Sequence, residues 1–115
     1  MQFPDHMLAV RASVDAGRGA EFNRWYDTEH LPDALRLFPG VIGAARYKVG
    51  IGDGSHHYIA LYAFESAEQL QAALEGPGLK TLIKKYDAAV GSFSTRGRTT
   101  YAKIFELATG AEKAS

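Results

Sequence analysis

At 115 residues the chain fits one domain and buries roughly two thirds of its unfolded surface, enough for a core without covalent staples. Absent cysteines exclude disulfides, thiol nucleophiles and thiolate metal sites, and suit a reducing cytoplasm. Lys and Arg total 13 against 13 Asp and Glu, so no overall field attracts nucleic acid or an anionic membrane, and no apolar run approaches the ~20 residues that span a bilayer.

The opening MQFPDH lacks the basic and apolar regions of a signal peptide, so a soluble, cytoplasmic protein is expected. Met7 to Val14 is short and partly alternating, and turn residues from Asp15 to Gly19 close it, which predicts a first strand. A helix is predicted from Ala20 to His30. Pro32 cannot donate the backbone hydrogen bond that continues a helix and disfavours helical geometry at Leu31, so a break near His30 and a short restart from Pro32 to Leu37 are expected. Pro39-Gly40 punctuates the chain before a second strand over Val41 to Val49. Three glycines between Gly50 and Ser55 make a turn without the context of a phosphate-binding loop, and His57 to Phe64 alternates as the hairpin partner of strand two. Ser66 and Gln69 form a capping box ahead of a helix running through Leu74. Gly76-Pro77-Gly78 interrupts it, Leu79 to Ala89 continues as helix, and Thr99 to Leu107 alternates as a last strand. The expected domain covers residues 1–107, with 108–115 as a frayed tail.

The order βαββαβ is the α+β ferredoxin-like arrangement, an antiparallel sheet with helices on one face. Its strands carry apolar residues on both faces: Tyr58, Tyr62 and Phe64 on one side of strand three, Ile59 and Leu61 on the other. A bare apolar sheet face is a liability for a monomer, so a homodimer through the sheet is expected.

The segment Trp25, Tyr26, Glu29, His30, Leu31, Pro32, then Pro39-Gly40 and Arg46-Tyr47 on the second strand, resembles the dimeric α/β-barrel superfamily and, within it, the EthD-like group of small bacterial proteins. The resemblance implies a dimeric barrel and a small-molecule role. The superfamily spans cofactor-free monooxygenases, isomerases, cyclases and haem enzymes, and fold alone does not choose among them.

The segment from Glu21 to Val41 carries the chemistry. Phe22, Tyr26 and His30 recur at i, i+4 and i+8, with Trp25 and Glu29 on the adjoining stripe, so one helix points rings and acid-base groups the same way. His30 titrates near neutrality, and a helix C-terminus would favour its protonated form; it reads as the catalytic proton carrier, or as a cap on helix carbonyls. Tyr26 and Arg46 would hold a developing oxyanion or a carboxylate. Phe22, Trp25, Glu29, Tyr58 and Tyr86 are candidate substrate contacts, although Trp25 alone reads more simply as core, and Glu29 is expected to pair with Arg46. Tyr47, on the opposite face from Arg46, is expected at the dimer interface. The four histidines lack metal-ligand spacing, so no metal and no cofactor are expected, with haem on His30 as the weaker alternative. Arg96, Arg98 and Lys103 read as a solvated face. The expected activity is cofactor-independent proton transfer or oxygenation of an aromatic, polyketide-like or carboxylated catabolite; the alternative is a non-catalytic ligand-binding or stress-related dimer.

Overall fold

The computed structural model describes residues 2–110 and contains four strands and four α-helices in the order β1 (His6–Val14), α1 (Gly19–Trp25), α2 (Leu31–Leu37), β2 (Val41–Lys48), β3 (Tyr58–Phe64), α3 (Ala67–Glu75), α4 (Pro77–Ala89) and β4 (Ser94–Ala102). The strands form one antiparallel sheet in the order β2-β3-β1-β4, which is the ferredoxin-like topology. Alternation puts Leu8, Val10, Ala12 and Val14 of β1 and Ala60, Tyr62 and Phe64 of β3 on the helix-facing side, all buried. They pack on Phe22, Tyr26, Ala34, Leu70, Leu82 and Tyr86 to make the core.

The expected break at His30 is not there. Trp25, Tyr26, His30 and Leu31 all keep right-handed helical dihedrals, and Tyr26–His30 forms one π-helical turn in which Leu31 N–H donates to the Tyr26 carbonyl. The widened turn carries the chain past Pro32 in helical conformation, because the proline's missing N–H is absorbed where the hydrogen-bond ladder already changes register. His30 is therefore interior to one long helical segment. No free helix C-terminus faces it.

The last strand also differs from expectation. β4 pairs with the whole of β1, Val14 opposite Ser94 through to His6 opposite Ala102, so it starts five residues before Thr99 and is finished before Leu107. Lys103 instead ties the chain to the N-terminal segment: its N–H donates to the Asp5 carbonyl at 2.8 Å and its Nζ lies 2.9 Å from both Asp5 and Glu106 carboxylates. Of the expected tail, residues 111–115 lie outside those described.

Ser66 caps α3 as the capping box predicts, its Oγ accepting from Gln69 N–H at 3.1 Å. Helix α4 begins at Pro77 and not Leu79, and the site depends on how closely it approaches α2. A Cβ on Gly78 would stand 2.5 Å from the Leu37 carbonyl oxygen, so only glycine lets the two helices meet here. Among the described residues no helix covers the outer face of the sheet. Ile59, Leu61 and Ala63 are half-buried there, with Tyr47, Ile42 and Tyr101 exposed around them. No helix among the described residues is long and apolar enough to cross a membrane.

Candidate functional site

The π-helical turn aims His30 at the sheet, where α4 closes over it. The imidazole is 8 % exposed and sits in an aromatic cage, with ring centroids 4.7 Å from Tyr26, 4.8 Å from Trp25 and 6.0 Å from Tyr86. Its Nδ1 is buried and has no hydrogen-bond partner among the described residues. Burial pushes the imidazole down to about 4, the Arg96 guanidinium pushes the same way, and the Asp33 carboxylate opposes them weakly. The expectation of a raised value fails on both counts, since the helix dipole end is absent and the surroundings are dry. His30 is a neutral imidazole at neutral pH.

Beside it, the Tyr26 and Tyr62 hydroxyls pair at 3.3 Å. Burial raises both phenols, Tyr62 the more strongly, so both hold their protons near neutrality. Tyr86 donates to Ser94 Oγ at 2.6 Å, because the Ser94 hydroxyl itself donates to the Val90 carbonyl at 2.7 Å. His30, Tyr26, Tyr62 and Tyr86 line a pocket with Leu8, Val10, Phe38, Leu79, Leu82 and Ile83, and its mouth carries Arg96 and Arg98. The free space is about 30 Å³, room for one water-sized group, so a larger ligand must displace side chains at the mouth.

Arg96 and Arg98 are the residues that sequence reasoning set aside. With β4 beginning at Ser94, both fall on the helix-facing side, opposite Ala12 and Val10. Arg96 is largely covered: its guanidinium stacks 3.8 Å above the Tyr86 ring and reaches Asp87 at 3.2 Å. The sequence signal was available in the i, i+2 spacing of two arginines beside Phe93, but only with the strand boundary placed correctly.

Several predicted site residues lie elsewhere. Phe22 is fully buried core, stacked on Tyr58 with centroids 5.7 Å apart. Trp25 touches His30 from the helix side and does not line the pocket. Arg46 is not paired with Glu29, which is exposed and makes no ion pair among the described residues; Arg46 instead holds Asp27 Oδ1 and Asn23 Oδ1, each at 2.8 Å, and covers the Tyr26 ring at 4.5 Å. The reason is geometric: Asn23 and Asp27 are one helical turn apart and face β2, whereas Glu29 is rotated outward. Arg46 and Tyr58 line a separate, open cleft with Asn23, Asp27, Tyr47 and Lys48.

Among the described residues no group of three or more His, Asp or Glu side chains is placed to hold a metal ion. His57 Nδ1 accepts from Val14 N–H at 2.9 Å, a structural role. Haem on His30, like any ligand larger than a water molecule, would require the side chains around the space of about 30 Å³ to move.

No family model matches the chain, and no curated protein matches it. Solved structures do. An ethyl tert-butyl ether D (EthD) family protein from Bacillus halodurans superposes with a TM-score of 0.64 at 17 % identity, over 86 % of this chain and 99 % of that one. SnoaB from Streptomyces nogalater, a cofactor-independent oxygenase, gives 0.61 at 18 % identity over 90 % and 97 %. MhuD from Mycobacterium tuberculosis, a heme-degrader with two hemes bound in its active site, gives 0.65 at 20 % identity over 90 % and 99 %. The chain thus shares with an EthD family protein and with these enzymes the ferredoxin-like α+β fold that its element order predicts.

Proposed function

We propose that the protein is a homodimeric small-molecule enzyme of EthD-like type, which carries out cofactor-independent proton transfer, or oxygenation, on an aromatic or polyketide-like substrate in the pocket between helices and sheet. The observation that carries this reading is His30: a neutral imidazole, nine-tenths buried, with an unpartnered Nδ1 next to a pair of tyrosine hydroxyls. A buried polar atom without a partner costs roughly 1–3 kcal/mol, a cost that a site can carry when substrate completes the bond.

In the proposed chemistry, His30 Nδ1 accepts a proton from an acidic O–H or C–H of the substrate, whose bonding pair stays behind as phenolate or enolate. Burial, with the Arg96 guanidinium second, disfavours imidazolium and makes His30 a weak base, so the substrate must itself be acidic. Tyr26 or Tyr62 donates a hydrogen bond to the developing oxyanion. With dioxygen as co-reactant, a phenol is oxidised to a quinone while dioxygen is reduced: one oxygen atom enters the ring, the other leaves as water with the two displaced hydrogens.

The homodimer follows from the outer sheet face, whose half-buried Ile59, Leu61 and Ala63 extend to exposed Tyr47 and Tyr101. Oxygen uptake and substrate loss across a panel of bicyclic phenols and β-dicarbonyls test the proposal. His30→Gln should leave the fold intact and lower turnover of any substrate found by roughly 10²-fold to 10⁴-fold. Turnover unchanged in His30→Gln would remove His30 from the chemistry, and no turnover of any compound in the panel would leave a ligand-binding dimer in which the aromatic cage only stabilises the helix.

A further inference from the structure

The chain has no net charge, yet the surroundings of His30 are cationic. Arg96, Arg46 and Lys85 all act on the imidazole as positive charges, against Asp33 alone on the negative side. Asp33 is already held by Arg36 at 2.8 Å and Lys85 at 2.9 Å. Of the two arginines at the pocket mouth, Arg96 makes one ion pair, to the exposed Asp87, and Arg98 has no carboxylate within ion-pair distance among the described residues.

The same two guanidiniums also line a second space. An open groove of about 420 Å³ runs along β4, bounded by Ile83, Thr95, Arg96, Gly97 and Arg98, and it shares Ile83, Arg96 and Arg98 with the His30 pocket. Because β4 is an edge strand, nothing in the sheet blocks this approach. The groove and the pocket therefore adjoin at Ile83, with the two arginines lining both.

We propose that Arg96 and Arg98 form an anion receptor at this mouth, so that the substrate is an amphipathic acid: its carboxylate, or an equivalent anionic oxygen, rests on the two guanidiniums in the groove and its apolar body points inward to His30. This rests on reading the pocket as a small-molecule site. It moves anion recognition from Arg46, which Asp27 and Asn23 already occupy, to β4. Guanidinium and carboxylate make charge-assisted, often bidentate bonds. Arg96, packed on Tyr86, fixes the orientation. Exposed Arg98 captures the anion.

The test is calorimetric titration of the full-length protein with 2-naphthoate and with its neutral isostere 2-naphthamide, using wild type, Arg98→Gln and Arg98→Lys. The acid should bind wild type roughly tenfold more tightly than the amide, and Arg98→Gln should erase most of that preference by weakening the acid far more than the amide. Arg98→Lys should retain part of it, and raising the salt concentration should weaken only the acid. Equal affinity for acid and amide, unchanged in Arg98→Gln, overturns the anion receptor and leaves the pocket reading standing. No binding of either probe overturns both.

Discussion

Acidification should destabilise this protein through one histidine. His30 falls from 6.5 to about 4 on folding because its imidazole is buried among Trp25, Tyr26 and Tyr86 beside Arg96. Above the unfolded value both states are neutral and the group contributes nothing to pH dependence. As pH falls below it, the unfolded chain takes up a proton that the folded chain refuses until about pH 4, so stability is lost across that window. Linkage gives about 2 kcal/mol lost between about pH 7 and pH 5, where ordinary carboxylates are still ionised. His30→Leu removes the titration while retaining an apolar filling. Urea denaturation of both proteins at the two pH values isolates it, since all other groups are common to both. Wild type should lose about 2 kcal/mol more than His30→Leu on going to pH 5. Parallel losses would refute the dry, cationic account of the His30 site.

Tyr62→Phe leaves the Tyr26 hydroxyl without its partner and should cost about 1 kcal/mol in urea denaturation. Gly78→Ala drives a methyl group into the Leu37 carbonyl and should cost roughly 1–3 kcal/mol by forcing α4 away from α2, again read by denaturation. Asp27→Ala removes an exposed partner of Arg46 and should cost less than about 0.5 kcal/mol, whereas Arg46→Ala uncovers the Tyr26 ring and should cost more, about 1–2 kcal/mol. Light scattering coupled to size exclusion should give a dimer at micromolar concentration; a monomer would mean that Ile59, Leu61 and their neighbours are simply tolerated in water.

The βαββαβ order was legible because turn chemistry marks every boundary that matters: Pro39-Gly40, the glycines after Lys48, the Ser66 cap and Pro77. Two local readings were not. Pro32 looked like a helix stop, since a proline normally removes a hydrogen bond and clashes with the preceding turn; a single π-helical turn avoids both, and nothing in the composition of Tyr26 to His30 announces it. β4 was displaced because Ser94 to Arg98 reads as polar, although an edge strand flanking a charged pocket needs no apolar alternation. That displacement hid Arg96 and Arg98. Helical spacing puts Phe22, Tyr26 and His30 on one stripe, and of these Tyr26 and His30 line the pocket together with Tyr86, while Phe22, Trp25, Arg46 and Tyr58 share the neighbourhood without lining it. Spacing gives direction along an element, but the partner of Arg46 depends on how the helix is rotated against β2.

The most direct measurement is hydrogen exchange at an acidic carbon, which reads proton transfer without depending on any later step. The benzylic α-hydrogens of 2-tetralone, followed by proton NMR in deuterated buffer without oxygen, should exchange faster with the protein than without it. His30→Gln should lower that acceleration by roughly 10²-fold or more with dimer and fold retained. An acceleration equal in wild type and His30→Gln would contradict the assignment of His30 as the proton acceptor.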